Sequence, residues 1–367
     1  MNQSFKIGFS ALVPKVLLMI CAVFLFCGSK ALADDTALRI ITDRTGRQVR
    51  IPKIPRHVAC LFGPSYEKLL ALGATDRISM VANVALPWNF VINPGLAGIP
   101  VLGHYGSPDV EALLSLKTDL VIYHPFAKQI ERMSAAGLPV VVAYNGSRRL
   151  HTLEDFLADW YDQMRFYGQV LGGTAKETAE AYCTYADKKI RSVTKVTTRI
   201  PESGRPKVFW FCGQVNGPIG TQTRHATADW IVTAAGGTML THDEPSYFVS
   251  VSTEELILWN PDIIMVSTLP TVAPVLSDAR LKNVTAVKEN KVFMTPQGQF
   301  YWSHFSTESF LCILYLAKLF HPGKFPDLDL VRELTAYYAR FYHYDLTPDQ
   351  ARQILAHLPP GPSGTTP

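Results

Sequence analysis

The residues with chemical reach in this chain are aromatic, histidine and amide side chains gathered in short segments that follow strand-like runs. In the first half they fall at 62–66, at 83–88 with Trp88 at the end, at His104 and Tyr105, and at His124. In the second half they fall at 214–217, at Arg224 and His225, at Tyr247 and Phe248, and at 297–302 with Tyr301 and Trp302. Loops after strands are where α/β folds present ligands. These side-chain types stack on flat ligands and donate hydrogen bonds. Arg224 adds a guanidinium able to meet a catecholate, a haem propionate or an oxyanion. For direct ligation, a tyrosine phenolate suits Fe(III), while histidine suits nickel, zinc or iron. No compact His/Asp/Glu cluster appears, so the pattern favours a chelator that brings most of its own ligands over a naked divalent ion. There is no GxSxG, HExxH, Walker A or post-strand GxGxxG sequence, so no catalytic arrangement is readable. An exported enzyme or sensor on the same framework is the alternative of a different class.

The elements that must position these loops read as two α/β sets. Residues 39–54 predict a hairpin that turns at Thr45-Gly46 and closes with Pro52 and Pro55. Extended runs at 58–62, 78–82, 120–123 and 140–144 then alternate with helical spacing at 65–72, 109–116 and 128–136, which predicts parallel sheet. The second set predicts strands at 208–212, 263–267 and 292–294, with helices at 227–235 and 254–259. Helices follow from 306 to 357. Between the sets, 152–171 is amphipathic and stops at Gly172-Gly173. Thr174 then caps a helix to about Val196, long enough at roughly 30 Å to act as a strut. The expected organisation is a leader at 1–33, a lobe at 34–172, a bridging helix at 173–200, a second lobe at 201–358 and a Pro/Gly/Ser/Thr-rich tail at 359–367 whose composition predicts disorder.

At 367 residues the chain has room for two cores, and 47% hydrophobic against 18% charged residues is a globular balance. Lys6, an apolar run at 16–26 and Ala31-Leu32-Ala33 have the layout of a cleaved secretory signal, too short to span a bilayer. Removing 1–33 takes away three lysines and no acid. The remaining 32 basic and 31 acidic residues give no electrostatic case for nucleic acid. Cys60, Cys183, Cys212 and Cys312 have wide, irregular spacing in apolar surroundings, which favours buried thiols over a disulfide or zinc.

One internal correspondence links the halves. Glu111-Ala-Leu-Leu-Ser-Leu-Lys-Thr-Asp119-Leu-Val-Ile-Tyr123 matches Glu254-Glu-Leu-Ile-Leu-Trp-Asn-Pro-Asp262-Ile-Ile-Met-Val266. Each places a glutamate in the first turn of a short helix, eight residues before an aspartate that opens a strand. With Ile40 to Arg47, Arg56 to Ala59 and Glu67 to Ile78, these segments resemble the class III substrate-binding proteins of ABC importers for siderophores, haem, cobalamin, metals or oxyanions. Thr118 stands where the family usually has proline, and Pro261 keeps it. The resemblance implies two Rossmann-like lobes joined by a long rigid α-helix with the ligand cleft between them. It also implies a periplasmic monomer without intrinsic cofactor, delivering its ligand to an inner-membrane permease and its ATPase through Glu111 and Glu254. The expected ligand is an Fe(III) chelate of the ferric-siderophore kind; cobalamin, haem, a nickel chelate and molybdate stay open. Siderophore binders of this kind complete the iron shell with a loop histidine and tyrosine, which would be His225 and Tyr301, with Tyr247 or Trp302 as substitutes for the tyrosine.

Overall fold

The computed structural model describes Met1 and residues 37–82, 86–103, 106–144, 150–213, 219–267 and 269–361. The signal sequence and its cleavage site lie outside the described residues. The hairpin is present as β1 (Leu38–Thr42) and β2 (Gln48–Pro52), paired antiparallel from Leu38↔Pro52 to Thr42↔Gln48. Asp43 closes its turn by accepting the backbone N–H groups of Thr45 at 2.9 Å and Arg47 at 3.1 Å.

The first lobe is built on β3 (Val58–Cys60), β4 (Ile78–Val81), β5 (Leu120–Tyr123) and β6 (Val140–Val142). They form an all-parallel sheet in the order β4-β3-β5-β6. Strands 3, 5 and 6 are buried at every position, so their apolar runs, broken by no charged residue, lie between covered faces. Helices α1 (Ser65–Ala71), α2 (Pro87–Ile92), α3 (Val110–Ser115) and α4 (Ala127–Ala135) connect and cover them.

Two long helices come next. α5 (Leu153–Leu171) starts with a capping box, Thr152 accepting from Asp155 N–H while the Asp155 side chain accepts from Thr152 N–H. It ends at Gly172 and Gly173, whose φ of 65° and 58° lie in the region other residues avoid. α6 (Ala175–Thr197) is 23 residues, about 35 Å. Its Ala179, Tyr182, Cys183, Ala186 and Ile190 form the buried face expected from their spacing. Thr174, expected to cap α6, makes no side-chain cap bond and is itself helical. The two helices meet at Gly168, where an added Cβ would stand 2.7 Å from the Ala179 Cβ, so only glycine permits the approach.

The second lobe repeats the grammar with β7 (Lys207–Phe211), β9 (Thr238–Met239), β11 (Ile263–Val266) and β12 (Val292–Met294), parallel in the order β12-β11-β7-β9. α7 (Thr227–Ala234) and α8 (Thr253–Trp259) flank this sheet. A departure from expectation is an antiparallel pair of β8 (Ile219–Gln222) and β10 (Phe248–Val251), running Phe248↔Gln222 to Val251↔Ile219. Phe248, expected in a ligand loop, is therefore a strand residue. After α9 (Ala273–Leu276) and α10 (Thr285–Lys288), the chain finishes with α11 (Ser309–Phe320), α12 (Leu330–Phe341) and α13 (Pro348–Leu355).

A buried polar seam fastens the 299–308 segment to α1. Glu67 on α1 is fully buried, and its Oε1 accepts from Ser306 Oγ at 3.2 Å, Thr307 N–H at 2.9 Å, Tyr342 Oη at 3.1 Å and Thr307 Oγ1. Lys68 beside it donates to the Phe305 carbonyl and lies 3.7 Å from Glu67. Glu308, also buried, accepts the N–H groups of Gln299 at 2.7 Å and Phe300 at 3.1 Å and the Tyr338 hydroxyl. Carboxyl groups taken out of water are tolerated only with such partners, although Glu67 Oε2 has only the Lys68 ammonium at 3.7 Å and no hydrogen bond among the described residues. Gln299 extends the seam to α2, reached by Asn93 Nδ2 at 2.8 Å. Cys60, Cys183, Cys212 and Cys312 are buried free thiols.

Candidate functional site

The C-terminal ends of β3, β5 and β6 place a run of rings on the first lobe. Phe62 stacks on Tyr144 at 5.7 Å and 9°, and its edge meets His124 at 4.8 Å and 87°. His124 stacks in turn on Phe126 at 5.2 Å. Adjacent strands in one register bring these three loops together, so the ring row is a consequence of sheet order.

The second lobe meets this row at two places. Tyr247, just before β10, lies close enough to Tyr144 for the two phenols to act on each other electrostatically. Phe305 lies 5.3 Å from the Tyr144 ring. Tyr247 is 37% exposed, yet desolvation still raises its phenol. Burial likewise raises Tyr144 far above the usual phenol range. Beside this contact, Phe300 passes over Gly63, and Tyr301 packs between Phe300 at 5.5 Å and His304 at 5.4 Å. His304 Nδ1 is 3.0 Å from Ser303 Oγ. Burial pulls His304 down to about 4 and also lowers His124, so both imidazoles are neutral at neutral pH.

The carboxylates nearest these rings are already engaged. Asp159, which acts on Tyr144, is buried and bonded to Arg44 at 2.6 Å. Glu308 belongs to the seam, and its carboxyl is pushed up to about 8 by burial. The groups gathered here are phenols, neutral imidazoles and apolar rings, a surface of hydrogen-bond donors without a free carboxylate among those named.

Some residues singled out from the sequence stand elsewhere. Trp88 is 2% exposed, and its indole N–H donates to the Leu358 carbonyl at 2.9 Å, pinning the chain after α13 to α2. Trp302 is fully buried. A ring with no accessible face cannot stack on a ligand, so both are packing residues. Arg224 is turned to Asp243, 3.6 Å away, with its carbonyl held by Trp230 Nε1 at 2.5 Å. That aspartate lines a groove of about 960 Å³ along β9, with Glu202, Arg205, Lys207 and Asp262, away from the cleft rings. His225 is half-buried, its N–H donating to Thr223 Oγ1 at 3.3 Å. The imidazole next to Tyr301 is that of His304. His104, Tyr105 and the segments 83–85 and 214–217 lie outside the described residues. Glu111 and Glu254 are exposed in the first turns of α3 and α8. Among the described residues, no three His, Cys, Asp or Glu side chains are grouped to hold a metal ion. No described helix is long and apolar enough to cross a membrane.

Sequence reading missed Tyr144 and His304. Tyr144 ends the extended run 140–144 and precedes Asn-Gly, a strand-end signal that marks a ligand loop. His304 lies two residues past the 297–302 segment, in a stretch dense with rings.

The profile of the periplasmic binding protein family matches residues 58–298, more than half of the chain. Molybdate-binding protein MolA of Haemophilus influenzae is 28% identical over 358 residues, covering 92% of this chain and 99% of that one. A probable siderophore-binding lipoprotein of Bacillus subtilis, YfiY, is 24% identical over 168 residues, covering 44% of this chain and 48% of its own. The crystal structure of MolA bound to molybdate superposes with a TM-score of 0.77 at 23% identity, covering 84% of this chain and 99% of that structure. With two parallel sheets and a profile match over more than half of its length, the chain belongs to the periplasmic binding protein family.

Proposed function

We propose that this protein is the exported solute-binding component of an ABC importer and that its cleft captures a metal oxyanion of the molybdate kind. The observation that carries the reading is the approach of Tyr144 and Tyr247, phenols contributed by the two lobes, with Asp159 beside them already bonded to Arg44. A dianion gains hydrogen bonds there and meets no like charge, whereas a naked cation would find no anionic ligand. The full-length similarity to a molybdate-binding protein supports the same choice. A binding role also needs no catalytic constellation.

A ferric catecholate is the second reading, favoured by the Tyr301 phenol beside the His304 imidazole at 5.4 Å. In that reading Tyr301, with His304 or His225, completes the shell of an Fe(III) chelate. On export, N-terminal sequencing of the mature chain should begin at Asp34. Glu111 and Glu254 present one carboxylate per lobe to the permease. Native mass spectrometry with elemental analysis of protein isolated from its own periplasm separates the readings. A bound mass with molybdenum or tungsten supports the oxyanion, and a larger organic mass with iron replaces it with the chelate.

A further inference from the structure

We infer that the importer-facing surface is a duplicated cassette in which an exposed aliphatic residue, Leu114 in one lobe and Ile257 in the other, seats in an apolar socket beside each glutamate's basic partner. The inference rests on the importer role proposed above.

The two helices agree in detail. α3 is capped by Asp109, whose Oδ1 accepts from Ala112 N–H at 3.1 Å, and α8 by Ser252, whose Oγ accepts from Glu255 N–H at 3.1 Å. Two residues after each cap stands an exposed glutamate, and two residues further a fully buried leucine, Leu113 or Leu256. Each turn then ends in a left-handed residue, Lys117 at φ 53° and Asn260 at φ 46°. Eight residues after each glutamate an aspartate clasps the start of the neighbouring strand. Asp119 accepts N–H groups of Arg56 at 2.7 Å and His57 at 3.0 Å, and Asp262 accepts that of Lys207 at 2.7 Å.

Folding explains the caps, the buried leucines and the aspartates. It does not explain why Leu114 is 48% exposed and Ile257 39% exposed at the same register, three residues after each glutamate. One exposed aliphatic residue is ordinary. Two at equivalent positions, each on the same helix face as a glutamate, form a repeated surface. Leu258, 82% exposed, enlarges the second copy.

The surface also selects its occupant. The first turns carry Glu111 beside the Asp109 cap, and Glu254 with Glu255, so a partner must be basic. Two like patches fixed on one body suit a partner that repeats its own surface, as a two-fold permease does. Rim charges chiefly set association, while a desolvated apolar contact chiefly sets residence time.

The test measures binding of the purified protein to its permease–ATPase complex in lipid nanodiscs by interferometry, at two salt concentrations. The double variant Leu114→Ser/Ile257→Ser should dissociate about tenfold faster with its salt dependence unchanged. Glu111→Ala/Glu254→Ala should instead slow association and flatten the salt dependence. Leu114→Met/Ile257→Met should restore residence, and all melting temperatures should match the parent's. Wild-type dissociation of the serine pair, with the glutamate pair impaired, overturns the apolar sockets and leaves the importer role standing. Wild-type kinetics in both pairs overturn the docking face and leave the importer role standing, whereas failure of the parent itself to bind the complex overturns that role.

Discussion

The cleft and the seam behind it touch where Tyr144 meets Phe305 at 5.3 Å, yet they use opposite chemistry. In the seam, Glu67, Lys68 and Glu308 are buried and engaged with backbone groups, hydroxyls and one another. In the cleft, the partly exposed groups are phenols, neutral imidazoles and plain rings. Buried ionisable groups fix one lobe's segment against the other, and the proposed site is left with neutral donors. Under the proposed function, the contrast describes a site preorganised for an anion.

Removing a seam charge breaks this contrast most severely. Glu67→Ala leaves Lys68 buried without its carboxylate and strips the acceptor from four donors, and should cost about 3–5 kcal/mol in urea unfolding. A loss under about 1 kcal/mol would mean that the seam does not hold the lobes.

The pH dependence of stability is a subtler probe of the same region. The Glu308 carboxyl is held up to about 8, against an ordinary value of 4.5. Between those values the folded chain keeps a proton that the unfolded chain releases. Stability contributed by this group is therefore full below pH 4.5 and is lost as pH rises toward 8, by about 1.4 kcal/mol per pH unit at most. Glu308→Gln cannot ionise and should flatten that part of the profile in urea titrations from pH 5 to 8. An unchanged slope would place the titrating group elsewhere.

The smallest expected effect lies at Trp88, which separates packing rings from ligand rings. Trp88→Phe removes the bond to Leu358 and should cost about 1 kcal/mol of stability while leaving ligand affinity unaltered. A weakened affinity would return Trp88 to the cleft.

Much of the scaffold was readable because its signals are local. The β1–β2 turn, the stop at Gly172-Gly173, the apolar face of α6 and the Glu–Asp repeat all arise within a few residues of one another. The β8–β10 pair was missed because its strands are only four residues each and pair across the intervening α7 and β9. β8, Ile-Gly-Thr-Gln, is buried while largely polar, so it lacks the apolar run that marked other buried strands. Loop aromatics defeated sequence reasoning for a different reason. Trp88, Trp302, Tyr247 and Tyr301 have similar sequence settings, and only tertiary packing decides that the first two are enclosed and the others stay partly exposed. Glu67 and Lys68 stand in a helix whose charged residues would ordinarily face water, and nothing local announces the 305–307 segment that buries them.

The most direct measurement is calorimetric titration of the purified mature protein with molybdate, with sulfate and a ferric catecholate as competitors, in the parent and in Tyr144→Phe/Tyr247→Phe. The account predicts saturable binding of one molybdate per chain, weakened about tenfold or more in the double variant as hydrogen bonds to a charged ligand are lost. Equal affinity in parent and variant would contradict it, as would binding of the ferric catecholate alone.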